Sequence, residues 1–350
     1  MGVAFLFLLL LISPGACFLT SDCFKTSPTN VRRLNNVKIS MRAADQVEAQ
    51  IEAQLREKYP EKSSITFNRR NQINIDGDNL FYKVGTGGAS AELRLLEYEA
   101  EGLQRLAEAA KGLILVPRPW LTGVVNRGRG EQSSGFIVMD QLSMGDRRGS
   151  DSQVQLGTGL ATIHSAPSTW KDGRFGFPMD GCCGALAQPN NPEAKEMNWC
   201  EFWAEYRLDF QLNQCRSCSA IQEAGAKLLP RLGVLFDGLE DVQPSLLHGD
   251  LWSGNHGIAN TNDGQCLPCI FDPACYYGHD EADFGIAHMF GGLSKEFYEA
   301  YFELRPKRDG FEERALLYEL HHHLNHLNIF GRSYEGGALR LMNQLLKIVI

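Results

Sequence analysis

The stretch Leu246–Asn255, LLHGDLWSGN, places Asp250 five positions before Asn255, and a second aspartate, Asp272, closes the apolar run Cys269-Ile270-Phe271. Phosphoryl transfer calls for such a set. One carboxylate orients the attacking hydroxyl and accepts its proton, while two further oxygen ligands hold Mg²⁺ against the nucleotide phosphates. Asp250 suits the first role; Asn255 and Asp272 suit the second.

Two regions of different character must position these residues. Val47, Ile51 and Leu55 recur every fourth residue between Asp45 and Tyr59, which predicts an amphipathic helix stopping before Pro60. Strand-like runs follow at Ser64–Phe67, Gln72–Ile75 and Asn79–Val84, with Asp76-Gly77-Asp78-Asn79 as a hairpin turn. A second helix is predicted over Ala91–Ala110, on the stripe Leu95, Tyr98, Leu103, Leu106 and Ala109. Strands are then expected at Gly112–Pro117 and Gly135–Met139, split by a Gly- and Arg-rich turn at Asn126–Gly130. Past Asp140 the pattern predicts helices at Gln153–His164, Trp199–Gln214, Ile221–Phe236, Asp280–Phe290, Lys295–Leu304, Phe311–Asn328 and Leu339–Ile350, with a long loop at 165–198. The expected fold is α+β: a small antiparallel-sheet lobe over 44–140 and a mainly helical lobe over 141–350 that carries the Asp250 loop.

The front of the chain reads differently. Residues 4–12 are wholly apolar but short for a bilayer span, and Ser13–Cys17 supply small residues of the kind that precede signal cleavage. From Phe18 to Ala43 there are five basic residues against one acid, with several Ser and Thr, a composition resembling an organellar transit peptide. Residues 1–43 are therefore expected to form a two-part leader, most readily to a plastid, with mitochondrion and secretory pathway as alternatives. Without that leader 29 basic residues face 41 acidic ones, a net charge of −12 that argues against nucleic-acid binding. No later apolar run is long enough to anchor the mature chain in a membrane. Among the ten cysteines, Cys215/Cys218 and Cys266/Cys269 have Cys-x-x-Cys spacing. Zinc is disfavoured there, because strand alternation would send the second pair's sulfurs to different environments. Reduced thiols are expected.

A strand-rich first lobe followed by a helical lobe with Asp-x4-Asn and a later Asp resembles the protein-kinase-like fold. His248-Gly249-Asp250 and Asp272-Pro273-Ala274 resemble its small-molecule branch. LLHGDLWSGN, the run FDPACYYGHDEADFGIAHMFGG at Phe271–Gly292 and LNHLNIFG at Leu324–Gly331 are similar to the fructosamine (ketosamine) kinase family. The resemblance implies an ATP- and Mg²⁺-dependent kinase for the sugar 3-hydroxyl of ketosamines, either free or carried on protein lysines. It implies Asp250 as the catalytic base and Asn255 and Asp272 as Mg²⁺ ligands. Lys83 would contact the nucleotide phosphates and Glu99 would hold its ammonium, with Glu97 and Glu101 as alternatives. Met139, Asp140, Gln141 and Leu142 would offer backbone groups to adenine. Trp252 could stack on the sugar or belong to the core, and His248 and Asp283 would support the catalytic loop.

One departure from the family stands out. Counting back from Lys83, the place where relatives carry phosphate-approaching glycines reads Ser63-Ser64-Ile65-Thr66. A nucleotide-binding pseudokinase scaffold is the alternative this raises, and a kinase for another small amino-sugar or alcohol is a further one. His322 and His326 have paired-ligand spacing, but no third ligand accompanies them in the sequence, so packing is expected. His164, ending a helix, is expected to complement its dipole.

Overall fold

The computed structural model describes residues 30–350 except 86–87, 128–132, 146–149 and 262, with side chains described from residue 44, that of Ser150 apart. The expected leader therefore lies outside the described residues, apart from the backbone of 30–43. That backbone is helical: α1 runs Asn30–Lys58, starting well before the Asp45 that periodicity predicts. Much of the expected turn at Asn126–Gly130 also lies outside the described residues.

The chain forms two compact units, one comprising the described residues to Ala100 plus Arg118–Gln141, the other Glu101–Pro117 plus Leu142–Ile350. In the first, β1 (Ile65–Asn68), β2 (Gln72–Ile75), β3 (Asp78–Val84), β4 (Pro119–Val125) and β5 (Ser134–Asp140) build one antiparallel sheet in the order β1-β2-β3-β5-β4. Its apolar face and α1 share a core that includes Ile51, Leu55, Ile73, Ile75, Leu80, Val125, Phe136 and Val138. The spacing of four in α1 is thus the stripe that covers the sheet. Ile75 pairs with Asp78, so Asp76 and Gly77 make the turn, at φ 49 and 99. Positive φ at both central residues is what a type I′ hairpin requires.

Three expectations need correction here. The strand at Gly112–Pro117 does not join this sheet. Leu115 donates to Pro268 O and accepts from Ile270 N, at 2.8 and 3.0 Å, and so belongs with the second unit. Consequently the lobe limits 44–140 and 141–350 differ from the observed units. Third, Ser63–Thr66 is not the β1–β2 turn: Asn68 pairs with Gln72, so the turn is Arg69–Asn71. Arg70 and Asn71 are left-handed there, at φ 66 and 60, and no glycine occupies the turn. Ser63 and Ser64 instead donate their amides to Asp76, at 3.1 and 2.7 Å.

Helix α2 (Ala89–Ala109) spans the sequence boundary between the units. The second unit continues with β6 (Ser143–Met144), α3 (Ser150–Ser165), the hairpin β7 (Gly181–Cys183) and β8 (Leu186–Gln188), α4 (Trp199–Trp203), α5 (Phe210–Gln214) and α6 (Ser219–Leu228). The expected helix Trp199–Gln214 is interrupted by a π-helical stretch, Ala204–Asp209, which holds the buried Arg207. Arg207 lies 4.0 Å over the Tyr276 ring and donates to Pro189 O and Asn190 Oδ1. Strands β9 (Ser245–Leu247), β10 (His256–Asn260), β11 (Cys266–Ile270) and β12 (Tyr276–Gly278) follow, then α7 (Gly285–Phe290), α8 (Lys295–Leu304), α9 (Phe311–Phe330) and α10 (Glu335–Val349). As alternation requires, Cys266 is exposed and Cys269 buried, and the eight described cysteines form no disulfide.

Candidate active site

Strand pairing brings the three oxygen-bearing residues together. The Asp250 loop leaves β9 and enters β10, and β10 pairs with β11 so that His256 faces Ile270. The residues just outside that pair are Asn255 and Phe271, and Phe271 N donates to Asn255 O at 3.1 Å. Asn255 Nδ2 donates to Asp250 Oδ2 and to Asp250 O, both at 2.8 Å, and reaches Asp272 O at 3.5 Å. With its amide nitrogen turned to Asp250, Asn255 keeps its side-chain oxygen for a hard cation. Asp272, exposed and left-handed at φ 54, adds a carboxylate. An all-oxygen donor set of this kind fits Mg²⁺. Burial pushes the Asp250 carboxyl up to about 8; Asn255 opposes this, while Asp272 and Asp283 reinforce it. A carboxylate held high in pKa is a stronger proton acceptor once ionised.

Asp283 anchors the loop from beneath. Its carboxylate accepts from His248 N at 2.8 Å, Gly249 N at 2.6 Å and His164 Nε2 at 3.1 Å. His164 is buried in the last turn of α3, with Nδ1 2.7 Å from the Tyr301 hydroxyl, so its ring also belongs to this network. Asp250 N donates to His248 Nδ1, and His248 Nε2 donates to Phe271 O at 3.1 Å. Burial lowers the His248 pKa, in keeping with the neutral ring that these two bonds need.

Burial alone would raise the Asp283 carboxyl, but hydrogen bonds and charge from His164, with Gly249 N, outweigh it and lower the pKa. Its stabilising effect is therefore full above the ordinary aspartate value of about 3.9 and is lost as pH falls through the lower folded value. Thermal melts should show Asp283→Asn less stable than wild type at pH 6, with the gap narrowing towards pH 2. A gap independent of pH would contradict this.

Gly249 sits at φ 79, and a Cβ there would collide with the Ala274 carbonyl oxygen. Ala274 N in turn donates to His248 O at 2.8 Å, so the two segments are closely apposed. Gly249→Ala is expected to cost about 1–3 kcal/mol of stability and to lower turnover by shifting Asp250. Unchanged melting and turnover would count against it.

Trp252 is half-buried, its ring 5.5 Å from that of Phe290. In the first unit, Lys83 pairs across the sheet with Ile137, and its Nζ lies 2.7 Å from Glu99 Oε1. Glu97 is exposed and Glu101 pairs with Arg105, so the ion pair selects Glu99 among the three. Met139 is buried at the end of β5. The amides of Asp140 and Gln141 already donate to Arg118 O and Asn79 O, each at 3.0 Å, and are not open to an adenine edge. Asp140's carboxylate is likewise engaged, by Trp120 Nε1 at 2.8 Å and Arg118 N at 3.1 Å. Leu142, half-buried, belongs to the second unit.

Sequence reasoning missed one neighbour set: Cys183, from β7, and His322, from α9, approach Asp250. His326 is not part of this set, its Nδ1 lying 2.9 Å from His322 O, and only a contact map could have brought Cys183 and His322 to Asp250.

A five-stranded antiparallel sheet with a helix in one unit, and a helical body bearing Asp250, Asn255 and Asp272 in the other, define a protein-kinase-like α+β phosphotransferase. The solved structure of a Haemophilus somnus 129PT protein assigned as a fructosamine-3-kinase has this fold. It is 23% identical, with a TM-score of 0.69, over 87% of this chain and 99% of that one. The family model described as fructosamine kinase matches residues 39–348, and the chain belongs to that family. It is 37% identical over 285 residues to the chloroplastic protein-ribulosamine 3-kinase of Arabidopsis thaliana, covering 81% of this chain and 80% of the relative. To the ketosamine-3-kinase of Mus musculus it is 38% identical over 296 residues, covering 78% and 89%.

Proposed function

We propose that this enzyme uses ATP to phosphorylate the sugar 3-hydroxyl of ketosamines, such as ribulosamine, erythrulosamine or fructosamine adducts, on protein lysines or free amines. The observation that carries the reading is the Asn255 amide bridging Asp250 and the Asp272 backbone, within a chain similar to ribulosamine and ketosamine kinases. Asp250 orients the hydroxyl and takes its proton. Asn255 and Asp272 would hold Mg²⁺, which when bound neutralises charge on the phosphates. Lys83, fixed by Glu99, grips nucleotide phosphate oxygens. Trp252 with Phe290 offers an aromatic face to the sugar. The phosphorylated adduct is unstable and leaves the lysine free, so the outcome is protein deglycation. The chloroplastic relatives and the basic leader support a plastid destination. The acidic chain takes no nucleic acid.

The test is ADP formation by the purified full-length chain with Mg·ATP and each ketosamine in turn. Turnover with ribulosamine or erythrulosamine substrates is expected. None with any ketosamine, beside an active relative, would reject the reading. Mg·ATP binding without turnover would instead favour the scaffold that the glycine-free Arg69–Asn71 turn suggests.

A further inference from the structure

The β7–β8 hairpin and α9 bring two ligands of a softer kind up to Asp250. Cys183 Sγ, an Asp250 carboxylate oxygen and a His322 ring nitrogen all lie within 4.8 Å of one another. Cys183 and His322 are both buried, each 4% exposed. His322 Nδ1 is buried without a hydrogen-bond partner among the described residues, an unusual state for a polar atom in a packed interior. Burial holds the ring neutral, its pKa down at about 3, with His326 adding to the effect.

The three positions are fixed relative to one another. Asn325 follows His322 by three residues on the same face of α9 and donates Nδ2 to Cys183 O at 3.2 Å. Its own oxygen accepts from Gln211 Nε2 at 3.2 Å, which sets the amide's direction. Asp250 is held by the Asn255 amide at 2.8 Å.

We propose that Cys183, Asp250 and His322 form a site for a thiophilic divalent cation, Zn²⁺ foremost, and that its occupancy switches phosphoryl transfer off. One sulfur, one imidazole nitrogen and one carboxylate oxygen suit tetrahedral Zn²⁺, with water as the fourth ligand, and do not suit Mg²⁺. Zinc bonds of about 2.0–2.3 Å put tetrahedral ligands about 3.3–3.8 Å apart, so side-chain ends need move only about 1 Å. On binding, the Cys183 thiol loses its proton to solvent and the thiolate coordinates the metal, with no change of oxidation state. The Asp250 oxygen engaged by zinc can no longer take the hydroxyl proton. This inhibitory consequence rests on the proposed role of Asp250, whereas the metal site rests on geometry alone.

Co²⁺ is the probe, because thiolate ligation in a tetrahedral site produces a sulfur-to-cobalt charge-transfer band. Full-length, reduced, chelator-treated protein titrated with Co²⁺ should develop that band and lose it on addition of Zn²⁺. Cys183→Ser should abolish the band and weaken Zn²⁺ binding at least about ten-fold, and His322→Gln should weaken it comparably. A Cys215→Ser/Cys218→Ser double variant should keep the band. In turnover assays at fixed Mg·ATP, Zn²⁺ should inhibit wild type, while Cys183→Ser keeps its basal rate and resists inhibition. No sulfur band in wild type, a band surviving Cys183→Ser, or loss only in the Cys215/Cys218 variant would overturn the site. Should Cys183→Ser not fold, unchanged Zn²⁺ affinity in His322→Gln would overturn it equally. A chain without turnover would reject the kinase reading yet leave the cobalt titration decisive for the site.

Discussion

Asparagine in place of Asp250 is expected to lower ketosamine-dependent ADP formation by about 10²–10⁴-fold while Mg·ATP still binds. The variant keeps a side-chain oxygen for the 2.8 Å bond from Asn255, so the loop and its hairpin should stay in place. What it loses is the capacity to accept a proton from the sugar hydroxyl. Turnover and Mg·ATP-induced thermal stabilisation, measured on one preparation, separate the two effects. A variant retaining more than about a tenth of wild-type turnover would mean that another group takes the proton.

Glu281→Ala should be the most destabilising single change in the second unit, at about 3–5 kcal/mol. Arg314 donates Nε and a terminal nitrogen to the two Glu281 oxygens at 2.7 and 2.8 Å, in a pair whose side chains are 1% and 7% exposed. Burial acts to lower the Arg314 pKa, but the Glu281 carboxylate outweighs it and keeps the guanidinium charged. Removing Glu281 therefore leaves a buried cation whose remaining hydrogen bonds, among the described residues, go to the carbonyls of Asp309 and Arg308. Urea unfolding is the measurement. The double change Glu281→Ala/Arg314→Met should recover part of the loss, because it removes the stranded charge as well. A loss below about 1 kcal/mol in the single variant would show that the pair is dispensable. Glu281 lies two residues before Asp283 in the Asp280–Phe284 turn, so the same variant should also loosen the catalytic loop.

The β1–β2 hairpin illustrates how sequence and structure divide the work. Glycine counting points to the right deficit but the wrong residues. Counting positions back from Lys83 assumes relatives' strand lengths, whereas the pairing of Asn68 with Gln72 moves the turn to Arg69–Asn71. Helix boundaries drift for a related reason. Periodicity sees no break between Trp199 and Gln214, yet Arg207 widens the helix there in reaching Pro189 and Asn190.

By itself the sequence determined which residues form the proposed catalytic constellation. Asp250 and Asn255 are close along one loop, and a short hairpin between β10 and β11 returns Asp272 to their side, so chain connectivity nearly dictates their meeting. The Lys83–Glu99 pair was readable in the same way, as a strand lysine followed by a helix glutamate in one unit. Asp283 was already expected beneath the loop; only the tertiary structure decided that His164 joins it there, and that Cys183 and His322 crowd the loop's base. Those contacts join elements far apart in the chain, and they depend on how whole helix faces and a hairpin pack, which no local spacing records.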